Sequence, residues 1–161
     1  MHRRDLLRFS LGASVFLAGT SLVGCSQQRP SAGYQALRDD DLPLLQALIP
    51  VVLAGTQAST ASVLQSLDHK LAALSPEMLK LTRQLFDVLN LPLTRGPLTG
   101  VWGAWEQASA AQVTAFLQRW QRSSLNLLRM GHASLLQLLQ MAWYERPESW
   151  AHCGYPGPPK I

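Results

Sequence analysis

The side chains best suited to chemistry in this chain are its four histidines and two cysteines. His2 lies at the start of the chain, and His69, His132 and His152 are far apart from one another. No histidine has a second one at the i, i+4 spacing of a helical metal site, and no CxxC pair accompanies them. The C-x-x-C-H pattern of covalent haem attachment is also absent. The sequence therefore predicts no metal-ligating residues.

Two of these histidines have structural interpretations. His69 stands between Asp68 and Lys70, which is typical of a solvated surface. His132 lies among leucines, so we expect it to be a core or interface residue. No nucleophile has a base at a recognisable spacing, and no glycine-rich loop for a phosphate or a dinucleotide is present. The sequence predicts no catalytic and no cofactor-binding residue, which disfavours an enzyme that acts alone.

Three consecutive aspartates, Asp39, Asp40 and Asp41, offer carboxylate oxygens that could bind a metal ion. They stand directly before an apolar helical pattern, where acidic side chains interact favourably with the positive end of the helix dipole. Because no histidine or matching acid cluster accompanies them, we interpret them as a helix start.

The first residues, MHRRDLLRFSLGASVFLAGTSLVGCS, have the charge and hydropathy profile of an export signal. The apolar run of about 15 residues is shorter than the roughly 20 that span a bilayer as a helix. The arginine pair with the leucines that follow it resembles a twin-arginine signal, whose pathway carries folded proteins. The residues of this predicted signal are Arg3, Arg4, Leu6 and Leu7. The alternative is an ordinary Sec signal that contains an arginine pair.

The stretch Leu22-Val23-Gly24-Cys25 resembles a bacterial lipobox, which predicts removal of residues 1–24 and lipidation of Cys25. Because each buried CH₂ contributes about 0.8 kcal/mol, two or more acyl chains would hold the chain on a membrane. The alternative is an unmodified cysteine in a leader that is cut elsewhere. If Cys25 is lipidated, Cys153 has no intrachain disulfide partner, and it is either buried or paired with another chain.

The charge of the chain depends on this leader. The 14 basic and 10 acidic residues become 11 and 9 without residues 1–24, which leaves a net charge of +2 and no basic cluster to track a nucleic-acid backbone. Charged residues make up 15% of the sequence, against about 25% in an ordinary soluble domain. We therefore expect part of the surface to meet another protein or lipid.

Apolar residues recur at helical spacing after residue 37 and no segment alternates as a strand does, so the sequence predicts an all-α bundle. The first helix, through LPLLQALIPVVLAG, is apolar on nearly every side and is expected in the middle of the bundle, with a kink at Pro50. A second helix is predicted over 59–74, and a third starts with Ser75 as its N-cap. The predicted segments are a signal peptide (1–24), a lipidated flexible tether (25–37), the helical bundle (38–146) and an aromatic Pro/Gly-rich tail (147–161).

Prolines and glycines in residues 90–103 predict a long irregular connection. Ser109 is expected to cap a fourth helical region that runs toward Tyr144, in which Gly131 marks a kink or a close packing point. All five tryptophans follow residue 100. We assign Trp120 and Trp143 to the core. The other aromatic residues lie on segments with weak helical signals, and both core packing and partner contact remain open for them.

The stretches LTGVWGAWEQAS (98–109), FLQRW (116–120) and AWYERPESWAHCGYPGPP (142–159), behind a leader of the twin-arginine type, carry a family resemblance. They resemble the small (gamma) subunit family of membrane-bound FAD-dependent dehydrogenases, the gluconate 2-dehydrogenase subunit 3 type. The Gly-Tyr-Pro-Gly-Pro sequence at 154–158 is the most specific of these marks.

The resemblance implies a non-catalytic subunit that binds no cofactor itself. In such complexes the FAD is on a large subunit of the glucose-methanol-choline type, which has no export signal. The small subunit folds onto that flavoprotein and takes it through the twin-arginine translocase. A lipid on Cys25 would add membrane anchoring on the periplasmic side.

The predicted partner-binding residues are Trp102, Trp105, Trp150, Tyr155, Pro156 and Pro158. The prolines favour an extended tail that loses little entropy when it is laid along a partner. The alternative is that the tail wraps back over the bundle and seals its core. A second class of function also stays open, a stand-alone envelope lipoprotein that binds a protein or an apolar ligand.

Overall fold

Residues 29–157, which the computed structural model describes, fold into helices without a strand. This confirms the predicted all-α class. Over that range the helices are α1 (Asp41–Val52), α2 (Thr60–Ala72), α3 (Pro76–Asn90), α4 (Pro92–Thr99), α5 (Ala110–Gln121), α6 (Asn126–Tyr144) and α7 (Pro147–Cys153), with a 3₁₀ turn at Trp105–Gln107. The predicted export signal, Cys25 and Pro158 lie outside the described residues. No helix in the described range is long and apolar enough to cross a bilayer.

Helix α1 occupies the middle of the fold, as its all-round apolar sequence predicts. It packs against α2, α3, α5, α6 and the 3₁₀ turn. The side chains of Leu44, Leu45, Leu48 and Ile49 are almost completely buried. Pro50 lies in the last turn, and the helix ends at Val52 instead of continuing to Gly55.

The segment before α1 is folded onto the bundle, so the predicted tether over 25–37 is wrong for its second half. Ala36 and Leu37 are buried in the core, and the carboxylate of Asp68 on α2 accepts hydrogen bonds from the backbone amides of residues 35, 36 and 37 at 2.8 to 2.9 Å. These bonds satisfy backbone donors that burial removes from water. The polar composition of this segment suggested a tether. The segment is nevertheless folded, because two of its apolar side chains are buried and a carboxylate 31 to 33 positions away binds its backbone.

The predicted helix start at the three aspartates is confirmed, but its polar contacts differ from a simple cap. Asp40 occupies the N-cap position without a side-chain cap hydrogen bond. The buried carboxylate of Asp41 binds the guanidinium of Arg38 at 2.8 Å, and Asp87 on α3 binds the same group at 2.7 Å. Burial alone would lower the pKa of the Arg38 guanidinium, but hydrogen bonds to both carboxylates outweigh it and raise that pKa above its usual value.

The prediction of a long irregular connection over 90–103 is wrong, because α4 lies within it. Pro92 stands in the first turn, where a missing backbone N–H does not matter. Gly100 ends the helix with φ of 81°, a left-handed conformation that glycine adopts without strain. The same residue types that suggested a loop therefore mark the start and the end of a short helix.

The fourth helical region is two helices instead of one. Ser109 caps α5 through a capping box with Gln112, as predicted for the start. The region then breaks over 122–125, where the Ser123 hydroxyl accepts a hydrogen bond from the Leu125 amide, and α6 packs back against α5. Gly131 is a close packing point in α6, because a Cβ there would lie 2.6 Å from the Trp120 ring.

The first part of the predicted extended tail, residues 147–153, is helical, whereas residues 158–161 lie outside the described range. Pro147 starts α7, which ends at Gly154 with φ of 68°, and the amide of Tyr155 then donates to the Trp150 carbonyl at 2.9 Å. Proline at the first helical position and glycine just past the last one are compatible with a short helix. The chain therefore turns back on itself over 154–157.

Replacing the buried carboxylate that holds the segment before α1 tests its role. Because an amide nitrogen in the place of one carboxylate oxygen would face backbone N–H donors, we expect Asp68→Asn to lower the free energy of unfolding by about 3 kcal/mol. Urea denaturation followed by circular dichroism measures this loss. Gln65→Ala, at an exposed position on the same helix, is the control and should change stability by less than about 0.5 kcal/mol. An equal effect of the two substitutions would contradict the assigned role.

Candidate partner-binding surface

The predicted partner-binding residues fall in two regions of the structure. Trp102 and Trp105 lie between α4 and α5, whereas Trp150, Tyr155 and Pro156 belong to α7 and the residues after it. Helix α7 packs on the C-terminal part of the bundle through α6.

Trp105 is a core residue. Its side chain is 2% exposed, and its indole N–H donates to the Leu89 carbonyl at 3.0 Å. Its ring lies 6.0 Å from Phe116, which in turn stacks edge-on against Trp120 at 5.0 Å. We therefore remove Trp105 from the partner-binding surface. Trp120 and Trp143 are buried as the sequence predicts.

Trp102 differs from Trp105 in that its side chain is 75% exposed. Its six-membered ring lies against Gly96 of α4, so closely that a Cβ on Gly96 would overlap it. This contact with the helix supports one side of the indole. A large aromatic ring is thus held on the surface by a glycine without being buried.

We name as the Trp102 patch the exposed residues Leu93, Pro97, Trp102 and Arg119, together with the buried Gly96 that the ring lies against. Leu93 is 81% exposed, and it stands three and four positions before Gly96 and Pro97, on the same face of α4. The guanidinium of Arg119 on α5 approaches Gly100, with a nitrogen 2.7 Å from where a Cβ would stand. Residues 88–105 contain Arg95 and no acidic residue, so the surroundings of the patch are cationic.

The C-terminal aromatic residues contact each other. The Trp150 and Tyr155 rings meet edge-on with centroids 5.8 Å apart, and the Trp150 indole N–H donates to the Tyr144 carbonyl at 3.1 Å. Gly157 packs against the Trp150 ring. Tyr155 and Pro156 remain exposed. Residues 150–157 are folded back toward α6, and Tyr155 is exposed on their surface.

The histidines and acids show no assembled reactive site. His69 is exposed, which confirms the sequence prediction, and His132 is half-buried, where desolvation lowers the pKa of its imidazole. The described residues contain no group of three or more histidine, cysteine, aspartate or glutamate side chains that could hold a metal ion. The side chain of Cys153, for which burial was one expectation, lies outside what the structure describes.

An open groove of about 320 Å³ lies between α1 and the 3₁₀ turn. Its lining is mostly apolar and consists of Pro43, Gln46, Ala47, Pro50, Val51, Trp105, Glu106, Ala108 and Ala110. A volume of this size is near the lower limit for a small-molecule site. The groove is therefore a second candidate site, distinct in its lining residues from the Trp102 patch.

Sequence reasoning missed Leu93, Gly96 and Arg119 as parts of a surface. Leu93 and Gly96 fall in the stretch that the sequence predicted to be irregular, and Arg119 lies on a different helix. A signal was present in Pro92 and Gly100, because a proline in the first turn and a glycine just past the last one mark the two ends of a short helix.

Comparison of the chain with models of protein families, with curated proteins and with solved structures gives no match. The resemblance to the dehydrogenase small subunit therefore stays a prediction from the motifs in the sequence.

The two tryptophans of the connection provide a matched pair of substitutions. We expect Trp105→Ala to lower the free energy of unfolding by about 3 to 5 kcal/mol, because it leaves a cavity and removes the donor to Leu89. Trp102→Ala should lower it by less than about 1 kcal/mol, because most of that ring already faces water. Thermal and urea unfolding of both variants measure the difference. A large destabilisation by Trp102→Ala would show that the exposed ring has a structural role.

Proposed function

We propose that this chain is a non-catalytic small subunit that binds an FAD-dependent dehydrogenase of the glucose-methanol-choline type, escorts it through the twin-arginine pathway and anchors it at the membrane. The FAD belongs to the partner, and this chain binds no cofactor of its own. The proposal also includes a lipid on Cys25 and a location on the periplasmic side of a membrane.

The Trp102 patch is the observation that carries this proposal. Along α4, α5 and the loop between them it presents an exposed tryptophan and an arginine, two residue types that are enriched in interface hot spots, beside an exposed leucine. Gly96 supports the Trp102 indole and the Arg119 guanidinium lies against Gly100, so these two side chains have contacts that hold them before a partner arrives. Binding to an ordered surface loses less side-chain entropy, which supports docking of a folded protein.

The leader supports the escort part of the proposal. A pathway that carries folded proteins can move a partner without its own signal only if the partner is already bound. This requires the docking surface to form in the cytoplasm, before any lipid is added. A patch built from α4, α5 and the intervening loop meets that requirement, since it uses no residue of the leader.

Co-purification tests the docking. We expect the full chain, tagged after Ile161 and isolated from its native host, to bring down a larger protein in stoichiometric amount with the absorption spectrum of an oxidised flavin. Trp102→Ala should reduce the recovered flavoprotein about 30-fold, the effect of a hot-spot residue worth about 2 kcal/mol. Leu81→Ala is the matched control, because Leu81 is 59% exposed on α3 and lies outside the patch.

A colourless chain without a partner, from a host in which a leaderless flavin dehydrogenase is shown to be expressed, would contradict the proposal. Equal losses with Trp102→Ala and Leu81→Ala would instead place the docking surface elsewhere. The escort step has its own test in the double variant Arg3→Lys, Arg4→Lys. This variant should leave the flavoprotein in the cytoplasm while the complex still forms.

The groove beside α1 favours a second candidate, a stand-alone envelope lipoprotein that binds an apolar ligand. Its apolar lining and volume of about 320 Å³ suit a small molecule or a single aromatic side chain. If this is correct, an apolar fluorescent probe should bind the full chain, and Ala47→Leu should weaken binding at least about tenfold by filling the groove. Gln65→Ala is again the control. A probe that binds Ala47→Leu as well as the unchanged chain would eliminate the groove as its site.

A further inference from the structure

The turn between α5 and α6 exposes three large apolar side chains. Leu125 is 62% exposed, Leu127 is 78% exposed and Met130 is 58% exposed. All three lie within residues 122–130, which we name the α5–α6 tip. Folded domains expose single apolar residues routinely, but three such side chains within six positions concentrate apolar surface at one turn, which is typical of a contact site.

The α5–α6 tip also carries positive charge without neutralising acids. Arg122 and Arg129 are exposed, and the sequence contains no acidic residue from 107 to 144. Neither arginine forms an ion pair within the described residues, whereas Arg38, Lys70 and Arg146 each bind a carboxylate. Arg129 is held at the turn by hydrogen bonds to the Ser123 carbonyl at 2.7 Å and to the Asn126 side-chain oxygen at 3.2 Å.

The position of these groups favours a lipid surface over a protein pocket. Leu125 directly precedes α6 and Leu127 lies in its first turn, so both are at the corner where two helices meet. Side chains that project from a corner can enter the headgroup layer of a bilayer without a complementary cavity. The long aliphatic parts of arginine side chains can lie along the apolar layer while the guanidinium groups stay at the phosphates.

We propose that the α5–α6 tip inserts into the interface of a bilayer that contains anionic phospholipid. Leu125 and Leu127 enter the headgroup region, and Arg122 and Arg129 bind lipid phosphates. The contact is interfacial and does not depend on the Trp102 patch or on a flavoprotein partner, because the residues are different. It orients the bundle on the membrane, whatever segment first brings the chain there.

A fluorescent label at the tip tests this inference on the full chain. Leu127→Cys, in a background of Cys25→Ser and Cys153→Ser, carries a polarity-sensitive dye. The vesicles contain equal parts of phosphatidylglycerol and phosphatidylcholine, or phosphatidylcholine alone. We expect a blue shift of the emission on the anionic vesicles and a smaller one on the neutral vesicles. The same dye at Leu81→Cys, an exposed position of α3, is the control. Its emission should stay that of a dye in water with both kinds of vesicle.

Charge neutralisation separates electrostatic attraction from simple adsorption. Arg122→Gln and Arg129→Gln should each reduce insertion of the labelled tip about fivefold, as expected for the loss of a basic residue near an anionic surface. Added salt should also reduce insertion, because it screens the same attraction. Unchanged far-ultraviolet circular dichroism verifies that the variants are folded.

Three results would overturn the proposal. The first is a label at position 127 that reports water while the chain floats with anionic vesicles. The second is an equal shift at position 81, which would mean unspecific adsorption of the whole surface. The third is a label that becomes shielded only when a co-purified protein is added, which would assign the tip to a protein interface.

Discussion

The packing of α1 at the centre of the fold is the constraint on which the rest of the structure depends. Four helices and the 3₁₀ turn pack around it, so its apolar side chains form the centre of a single core. Both ends of this helix meet water, but residues 36–38, which lead into it, are buried, so their polar groups must be satisfied inside the protein. Asp68 provides acceptors for that incoming backbone, and Arg38 balances the charge of Asp41.

Much of the bundle could be predicted because its signals are local. Apolar spacing placed α1, α2 and α3, and the caps Ser75 and Ser109 lie where the sequence predicts. The errors concern segments where local signals compete. Proline and glycine at residues 92–100 can mark a loop or the two ends of a short helix, and only packing of α4 against α3 and α5 decides. The break near Ser123 is also tertiary, because it lets α6 return along α5 instead of continuing into water.

The candidate site shows why the sequence could not separate Trp102 from Trp105. The two residues are three positions apart in one irregular stretch, with small residues on both sides, and either could have been buried. The difference arises from contacts distant in sequence. The Leu89 carbonyl accepts from the Trp105 indole inside the core, whereas Gly96 lets Trp102 rest on the outside of α4. Trp102 rests on α4, the helix that local signals missed, whereas Trp105 is bonded to α3, which the apolar spacing predicted.

The clamp at Asp68 has a mechanical consequence. The Ser31 amide donates to the Leu37 carbonyl at 2.8 Å, which closes a loop over residues 31–37. The amides of residues 35–37 bind Asp68, so this loop is attached to α2. A force applied to the residues that precede Ser31 is therefore carried into α2, and through the Arg83 bond to the Ala36 carbonyl into α3, before it reaches α1. The hydrogen bonds of Asp68 and Arg83 therefore distribute such a force over two outer helices, and the central helix does not bear it alone.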